Sequence, residues 1–346
     1  MQYQILTAMF GICLCGQSAL ASAPDQSLRP VARPAQTDSV LLASVAPLPG
    51  TVRPVVRPDS INTAPDLVKA AGNAGFQRWI GGFRGRALNR GIQPLVFDTA
   101  LKGVSYNTSV IQKDRNQSEF TKTIWDYLDS AASDTRVKNG KAALRKHRKK
   151  LDAIERRYGV EKEVVVAIWG LESAYGAFRG SNNTIQSLAT LSYDTRRRDF
   201  FEDQLLAALR ILDNGDVAPE NMNGSWAGAM GHTQFMPTSF EAHAVDFTGD
   251  GKRDIWSDDP ADALASTAAY LRHFGWTKGQ PWGVEVTLPQ GFDYTLANRK
   301  VLKSPTEWAR LGIRDINGLP VPEHGAASIL LPAGGKGAAF MIFDNF

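Results

Sequence analysis

The chain has 346 residues, of which 43% are hydrophobic and 21% are charged, so it can bury enough apolar surface for one large domain or two ordinary ones. Its 39 basic and 35 acidic residues give a formal net charge of +4, which excludes a strongly acidic solvating chain. The excess of positive charge is also smaller than a dedicated nucleic-acid binder would concentrate on one face, so we expect no nucleic-acid partner.

The N-terminal residues 1–23 have the features of a secretory signal peptide. They carry no charge, and Ile5 to Leu14 form an apolar run that is too short to span a bilayer. Small residues ending at Ala23 follow this run, as at a signal-peptide cleavage site, although no Lys or Arg precedes it. Because Cys13 and Cys15 lie inside this segment, we expect the exported protein to be stable without disulfides.

Residues 24–66 predict an extended linker. The phrase Arg-Pro-Val-Ala-Arg-Pro at residues 29–34 returns as Arg-Pro-Val-Val-Arg-Pro at residues 53–58. Proline at this density cannot join a helix or a central strand. We interpret the segment as a disordered or extended spacer rather than a polyanion-binding arm, and we expect the folded domain to cover residues 67–346.

The first half of this domain predicts helices. They are expected at Leu67 to Leu88 with an interruption at Gly81-Gly82, at Ser118 to Ala132 with Ser118 as the cap, and within Lys141 to Tyr158. The last stretch contains a basic run at residues 145–150, which we interpret as a solvated helix face rather than a binding patch. Residues 161–174 are apolar almost all round, which predicts a buried helix, although their β-branched residues leave a strand possible.

The second half of the domain changes from helical to strand-like patterns. Residues 201–212 predict an amphipathic helix, and a further helix is expected to begin at Asp259-Pro260 with Asp259 as the cap. Short strand-like runs follow Trp282, at residues 284–288, 327–331 and 339–343. The expected fold class is therefore α+β, mainly α, with a small late β-sheet.

Glu172 is the first candidate for chemistry. Its apolar neighbours, including Trp169, predict partial desolvation of the carboxyl group, which raises a carboxyl pKa. A carboxylic acid that stays protonated near neutral pH can act as a general acid. A structural alternative is a carboxylate paired with an arginine at a helix end.

A glycine-rich segment at residues 224–237 offers a second candidate site. Its small residues would let a ligand approach the backbone closely, while Ser225 and Gln234 offer hydrogen-bonding side chains. Aromatic residues in the segment could stack on sugar rings. A glycine-rich packed turn with no ligand is the alternative, and His232 within the segment is interpreted as a hydrogen-bonded structural residue rather than a metal ligand.

The segment that begins at Asp246 matches the start of an EF-hand calcium loop. Asp246, Thr248 and Asp250 occupy positions 1, 3 and 5, and a glycine occupies position 6. The usual closing Glu is absent, and Asp262 could close a longer loop of 17 residues. Asp258 and Asp259 are rival ligands. A single site of this kind favours a structural role for the ion over calcium sensing.

The ordered motifs of residues 67–346 resemble those of the B-type lytic murein transglycosylases, glycoside hydrolase family 103. The motifs that carry the resemblance occur in this order: Asp-Arg-Asn-Gln-Ser-Glu-Phe at 114–120, the segment around Glu172, Gln-Ser-Leu-Ala-Thr-Leu-Ser at 186–192, Arg-Arg-Arg-Asp-Phe-Phe at 196–201, Gly-Ala-Met-Gly-His-Thr-Gln-Phe-Met-Pro at 228–237 and Asp-Phe-Thr-Gly-Asp-Gly at 246–251. The resemblance implies a lysozyme-like catalytic core with an added helical lobe and an EF-hand-like calcium loop.

The resemblance also implies a function. The expected enzyme is a periplasmic monomer that cleaves the β-1,4 bond between N-acetylmuramic acid and N-acetylglucosamine in peptidoglycan strands without water, and leaves 1,6-anhydro ends. Glu172 matches the family's single acid and base, and Ser225, Gln234 and Tyr270 match positions that contact sugar. The implied calcium ligands are the side chains of Asp246, Thr248, Asp250 and Asp262 and the backbone carbonyl of Lys252. No organic cofactor is expected.

The sequence also leaves two rivals to the transglycosylase function open. The rivals are a hydrolytic muramidase on the same fold and a peptidoglycan-binding protein with impaired catalysis.

The C-terminus differs from that of similar chains. Similar chains continue into a Tyr-Asn-x-Ser phrase and a closing helix, whereas this sequence ends at Phe346. We therefore expect a shortened form in which the apolar residues near Phe343 lack their usual cover.

Overall fold

The computed structural model of the chain describes residues 64–116, 124–194 and 196–346. The expected signal peptide and nearly all of the expected linker lie outside these residues. Within the described residues the chain forms twelve α-helices and six short β-strands. The helices are α1 Ala64–Asn89, α2 Pro94–Ala100, α3 Thr108–Arg115, α4 Ile124–Ala131, α5 Asp134–Lys146, α6 Arg148–Tyr158, α7 Lys162–Ser173, α8 Thr184–Tyr193, α9 Arg198–Asp213, α10 Pro237–His243, α11 Ala261–His273 and α12 Pro305–Arg310. The strands are β1 Asn182–Asn183, β2 Asn223–Gly224, β3 Gly283–Thr287, β4 Arg314–Asp315, β5 Ser328–Leu330 and β6 Ala339–Ile342.

Several predicted helices differ from the observed ones in their bounds. Helix α1 begins at Ala64, three residues before the predicted start, and it continues through Gly81-Gly82 without the expected interruption. A glycine lowers helix stability by only about 1 kcal/mol, which the buried aromatic residues of α1 outweigh. The predicted cap Ser118 lies outside the described residues. The stretch from Lys141 to Tyr158 belongs to two helices, α5 and α6, which meet at His147.

Residues 161–174, for which the sequence allowed either a helix or a strand, form the helix α7. It is not buried all round as expected, because Ala167 is exposed and Leu171 is 38% exposed. Its buried face carries Val165, Val166 and Trp169. The basic run at residues 145–150 lies largely on a solvent-exposed surface, as predicted. Four of its residues are exposed, namely Arg145, Lys146, Arg148 and Lys149.

In the described part of the chain, three clusters of buried residues form the core. The largest joins α1, α2 and α3 to α8, α9 and α10, and contains aromatic residues such as Phe76, Phe83 and Phe240. A second joins α5, α6 and α7 to α11 around Leu151, Trp169 and Leu264. The third lies between the late sheet and α12, around Trp308. Helix α7, which carries Glu172, and the first half of α11, which carries Asp262, therefore share the second cluster.

Two antiparallel sheets complete the fold. Strands β1 and β2 form a short pair with Asn182 opposite Gly224, and this pair places the glycine-rich segment next to the chain that follows α7. The late sheet has the strand order β4-β3-β6-β5. Strands β3, β5 and β6 lie in the predicted strand-like runs, whereas β4 was not predicted. Phe343, which was expected to lack cover, is 4% exposed and packs in the third cluster, whereas Phe346 is 40% exposed. In the described part of the chain, none of the helices combines the length and the apolar composition that crossing a membrane requires.

Candidate active site

Glu172 lies in the last turn of α7, and the chain after it turns sharply. Ala174, Tyr175 and Gly176 all adopt positive φ values of 48°, 61° and 85°. Two successive non-glycine residues in this region are uncommon and carry a conformational cost. The hydroxyl of Ser173 accepts a hydrogen bond from the backbone N–H of Gly176 at 3.0 Å, and the hydroxyl of Tyr175 donates to the carbonyl of Arg136 at 2.7 Å. These bonds hold the turn and so fix the end of the helix that carries Glu172.

The carboxyl group of Glu172 is half-buried and has no hydrogen-bond or ion-pair partner among the described residues. Burial raises its pKa from 4.5 to about 7. Desolvation disfavours the charged carboxylate and leaves the acid protonated over much of the neutral range. The sequence-based alternative, an arginine partner at the helix end, is absent in the described part of the chain. The group therefore has the protonation state that a general acid needs.

The acids that follow Glu172 in sequence are engaged elsewhere. Asp194 pairs with Arg115 at 3.1 Å, and Glu202 pairs with Arg86 at 2.8 Å. Asp199 is exposed in the first turn of α9. Asp194 and Glu202 are therefore arginine partners, and Asp199 is a surface residue.

The glycine-rich segment folds into tight turns beside the β1–β2 pair. Ser225 is half-buried, and its hydroxyl accepts a hydrogen bond from the N–H of Ala229 at 3.0 Å. Gln234 adopts a φ of 52°, and its amide nitrogen donates to the carbonyls of Arg179 and Gly231 at 3.0 and 2.8 Å. The side-chain oxygen of Gln234 and the second lone pair of the Ser225 hydroxyl stay available to a ligand.

Tyr270 lies on α11 and is 3% exposed. Its ring packs edge-on against Phe235 of the glycine-rich segment, with 6.0 Å between ring centroids, and burial raises the pKa of its hydroxyl. Tyr270 therefore packs against the glycine-rich segment through Phe235. A direct contact between Tyr270 and a sugar stays a prediction.

His232 is buried, and both of its ring nitrogens have partners. The indole N–H of Trp169 donates to Nδ1 at 3.1 Å, and Nε2 lies 2.7 Å from the carbonyl oxygen of Ser257. Burial lowers the pKa of the imidazole. His232 is thus a hydrogen-bonded residue of the interior, as predicted. Its partners Trp169 and Ser257 are distant in sequence, so no local pattern indicates them.

The acidic loop brings three carboxylates together. Asp246, Asp250 and Asp262 each offer an oxygen atom, and these oxygens all lie within 4.8 Å of one another. The hydroxyl of Thr248 lies 3.4 Å from a carboxylate oxygen of Asp246. Oxygen donors of this kind, crowded in a loop with a glycine at position 6, fit a calcium ion. Without a cation, the like charges at this spacing would repel one another.

Asp262 connects this loop to the core. It is 2% exposed, and its two carboxylate oxygens accept hydrogen bonds from the backbone N–H groups of Phe247, Thr248 and Asp254 at 3.0 to 3.1 Å. Burial raises the pKa of Asp262, and these hydrogen bonds act in the opposite direction. The pKa of Asp246 shifts in the opposite direction. It is lowered by hydrogen bonds from backbone N–H groups, of which the bond from Gly251 has the largest effect.

The rival ligands make other contacts. Asp258 is 97% exposed at its side chain and pairs with Arg179 at 2.9 Å. Asp259 pairs with Lys150, and its carboxylate accepts the N–H of Ala261 at 3.0 Å. The predicted start of α11 is wrong by one residue, because the helix begins at Ala261 and its N-cap position is Pro260 rather than Asp259. Lys252 contributes a backbone N–H to Asp250 at 2.9 Å. Among the acids considered, Asp262 is therefore the one positioned to close the loop.

Comparison with known proteins places this arrangement in a family. Residues 75–346 match the family described as Transglycosylase SLT domain. The chain belongs to this family. The match covers well over half of the sequence and includes Glu172, the glycine-rich segment and the acidic loop.

Relatives with solved structures share the fold. SltB3 from Pseudomonas aeruginosa, solved in complex with NAG-anhNAM-pentapeptide, is 51% identical with a TM-score of 0.74, and the match covers 78% of this chain and 72% of SltB3. The Escherichia coli lytic transglycosylase Slt35, solved in complex with calcium, is 30% identical with a TM-score of 0.66, and the match covers 80% of this chain and 86% of Slt35. The fold is thus the mainly helical, lysozyme-like fold of the SLT transglycosylases, with small sheets.

A curated relative is the Membrane-bound lytic murein transglycosylase B of Escherichia coli (strain K12). It is 36% identical over 200 residues, which are 56% of this chain. The match spans only about half of the relative, 52% of its length. The comparisons confirm the resemblance to B-type lytic transglycosylases that the ordered motifs predicted.

Proposed function

We propose that the protein is a lytic transglycosylase that cleaves the β-1,4 bond between N-acetylmuramic acid and N-acetylglucosamine in peptidoglycan. The observation that carries the proposal is Glu172, a half-buried and unpaired carboxyl group with a pKa raised to about 7, at the end of a helix whose turn is fixed by Ser173. The relative SltB3 has been solved with NAG-NAM-pentapeptide and with NAG-anhNAM-pentapeptide, which supports the same substrate class here.

The proposed reaction needs one carboxyl group. Protonated Glu172 donates its proton to the glycosidic oxygen as the bond to C1 of the muramyl residue breaks. The resulting carboxylate then accepts the proton of the muramyl C6 hydroxyl as that oxygen bonds to C1, so the enzyme regains its initial state and the product is a 1,6-anhydro sugar. Glycosidases that use water or a covalent intermediate need a second carboxylate at a set distance. The pairing of Asp194 and Glu202 with arginines supports the mechanism with one acid.

The glycine-rich segment is the proposed sugar-binding wall. Ser225 and Gln234 keep oxygen atoms free to accept hydrogen bonds from sugar hydroxyl or acetamido groups, while their other contacts hold them in place. Tyr270 supports Phe235 behind this wall. The exposed apolar face of α7 around Leu171 adds surface next to Glu172 that a glycan could cover.

Calcium is the proposed ligand of the acidic loop, with a structural role. Asp246, Thr248, Asp250 and Asp262 would hold it with the backbone carbonyl of Lys252, and its charge would offset the repulsion among the carboxylates. The solved complex of Slt35 with calcium supports this assignment. No step of the proposed reaction passes through the ion.

The proposed organisation follows the sequence expectations. Residues 1–23 direct export to the periplasm, residues 24–66 form a spacer, and the remaining residues form the catalytic domain that meets peptidoglycan strands there. The match to a lytic murein transglycosylase supports this location, because the proposed substrate, peptidoglycan, lies in that compartment.

Glu172→Gln tests the function directly. Glutamine has nearly the same shape but cannot donate a proton, so lysis of purified sacculi should fall by about 10²- to 10⁴-fold. Glu163→Gln is a matched control, because Glu163 is an exposed acid on the same helix. Lysis by Glu172→Gln at the rate of Glu163→Gln would remove Glu172 from the proposed role.

A further inference from the structure

His232 lies between the helix of Glu172 and the loop at residues 254–257. Its side chain is buried at 4% exposure, and its ring packs edge-on against Trp169 with 5.6 Å between centroids. The proposed reaction does not use His232, and its ring is not among the implied calcium ligands. A buried imidazole with both nitrogens engaged by two different elements is nevertheless suited to fix those elements relative to each other.

The contacts of the ring define its tautomer. Trp169 can only donate through its indole N–H, so Nδ1 of His232 accepts and carries no proton. Nε2 faces the carbonyl oxygen of Ser257 at 2.7 Å and must therefore donate. Arg179 Nη1 also lies 3.4 Å from Nε2, but it donates to the carbonyls of Trp256 and Ser257 at 2.8 Å each, so it leaves the Nε2–H bond in place.

On one side, His232 holds the end of α7. Its carbonyl oxygen accepts a hydrogen bond from the hydroxyl of Ser173, the residue directly after Glu172. Its ring also lies flush against Gly176, where an added Cβ would come within 2.5 Å of Cε1 and Nδ1. Trp169 lies one helical turn before Glu172 on α7. The contacts of His232 therefore bracket Glu172 in sequence.

On the other side, His232 holds the loop next to the acidic site. Its backbone N–H donates to the carbonyl of Ile255 at 3.0 Å. The carboxylate of Asp254 accepts the N–H groups of Trp256 and Ser257 at 2.9 and 3.0 Å, and the N–H of Asp254 donates to Asp262 at 3.0 Å. An unbroken path of hydrogen bonds thus runs from Asp262 to the helix of Glu172.

We propose that His232, as the neutral Nε2–H tautomer, is a positioning residue that fixes Glu172 by joining the end of α7 to the loop at residues 254–257. This inference rests on the proposed transglycosylase function and deepens it. The charged groups nearest to the ring are Arg179, Asp254 and Asp258, and the burial of the imidazole keeps it neutral despite the two carboxylates. An alternative in which His232 only fills space predicts that any ring of similar size would serve.

The kinetic test uses His232→Phe, which keeps a ring of similar size and removes both hydrogen bonds. Trp169→Phe removes the hydrogen bond from the indole N–H to Nδ1 of His232. The two single variants and the double variant together form a double-mutant cycle. Misplacement of a catalytic group by about 1 Å can cost 10²-fold in rate, so we expect kcat on solubilised glycan strands to fall about 10- to 100-fold with KM changed less than twofold. Because both changes break one path, the double variant should lose no more than the worse single variant.

His324→Phe is the matched control. His324 is half-buried and packs against Phe343 with 5.3 Å between centroids, in the cluster of the late sheet. It should retain wild-type kcat. If His232→Phe retains kcat as His324→Phe does, while the wild type is active, the proposal is overturned. Additive losses in the double variant would also overturn it, because the two residues would then act independently.

Nitrogen NMR of the wild-type protein tests the tautomer without any activity measurement. With ¹⁵N-labelled histidine, His232 should show a protonated Nε2 and an unprotonated Nδ1 from pH 5 to 8, and the assignment comes from the signal lost in His232→Phe or shifted in Trp169→Phe. Titration near the ordinary histidine pKa of about 6.5, or a proton on Nδ1, would overturn the proposal. The NMR measurement tests the tautomer of His232 even if His232→Phe does not fold. It is also independent of the products of the reaction, so an absence of anhydro products would contradict the proposed function and not the inference about His232.

Discussion

The backbone of Gly180 lies directly against the peptide group of Gly224. A Cβ added at Gly180 would overlap the carbonyl group of Gly224 and lie 2.6 Å from the backbone nitrogen of Ser225. Gly180 also has a φ of 88°, a conformation that L side chains rarely adopt. This close approach holds the chain after α7 against the start of the glycine-rich segment, and so sets the distance between Glu172 and the proposed sugar-binding wall.

Gly180→Ala should therefore destabilise the fold and reduce lysis. Gly215→Ala is the matched control, because Gly215 has a φ of 76° but no atom lies within 4 Å of its added Cβ. The control isolates the backbone strain of about 1–2 kcal/mol, whereas Gly180→Ala adds the overlap with backbone atoms that cannot rotate away. Urea unfolding of both variants gives the comparison, and equal losses of stability would show that the contact with Gly224 is dispensable.

The raised pKa of Glu172 predicts the pH dependence of activity. The protonated acid is needed at the start of the reaction, so kcat/KM should be constant below pH 7 and fall about tenfold per pH unit above it. Rates on solubilised glycan strands between pH 5 and 9 check this. An alkaline limb near pH 4.5 would mean that Glu172 titrates as an ordinary solvated carboxyl group.

The same pKa predicts a stability effect with a defined sign. Between the ordinary pKa of 4.5 and the folded value of about 7, the native state binds a proton that the unfolded chain has released, so stability falls as the pH rises through this window. Glu172→Gln cannot lose this proton. From pH 4 to pH 8 it should gain on the order of 2–3 kcal/mol relative to the wild type. A pH-independent difference in urea unfolding would contradict the assignment.

The candidate acid and the helices α1, α4, α6, α7, α9 and α11 could be predicted, at least in part, from the sequence, whereas the buried helix α8 was not predicted. The apolar pattern around Glu172 favoured a buried helix while leaving a strand possible, and it predicted the desolvation of the carboxyl group. The late strands β3, β5 and β6 followed from short strand-like runs between Gly and Pro residues. Helix α12 was missed although a local signal exists, since Ser304 and Glu307 form a capping box around Pro305. The helix has only six residues and lies between two strand-like runs, so the capping box was its only local signal.

Other features depend on contacts that no local pattern encodes. Loop spacing alone left Asp258 and Asp259 as rivals to Asp262, and the resemblance rather than a local pattern favoured Asp262; the folded loop brings an oxygen of Asp262 within 4.8 Å of one of Asp246. In the same way, the bond between Trp169 and His232 joins residues 63 positions apart. Sequence spacing can propose such residues, but tertiary packing decides which of them meet.

Calcium should stabilise the fold without taking part in the chemistry. A ligand that binds only the native state adds about 2.7 kcal/mol at a hundredfold excess over its Kd, so the Tm should rise with calcium and fall with chelator. Asp250→Ala should abolish this difference because it removes a carboxylate of the loop. Asp258→Ala, which removes only an exposed ion pair, should retain it. Equal Tm values in calcium and chelator for the wild type would contradict the proposed site.

Mass analysis of the products from purified sacculi tests the central claim most directly. If protonated Glu172 cleaves the bond and the muramyl C6 hydroxyl is the acceptor, the wild type should release muropeptides with 1,6-anhydro ends, each about 18 Da lighter than its hydrolysed counterpart because no water is added. Glu172→Gln should release neither form above background, while Glu163→Gln should give the wild-type products. Reducing ends in place of anhydro ends would assign the protein to the hydrolytic muramidases, and release of anhydro muropeptides by Glu172→Gln would contradict the mechanism.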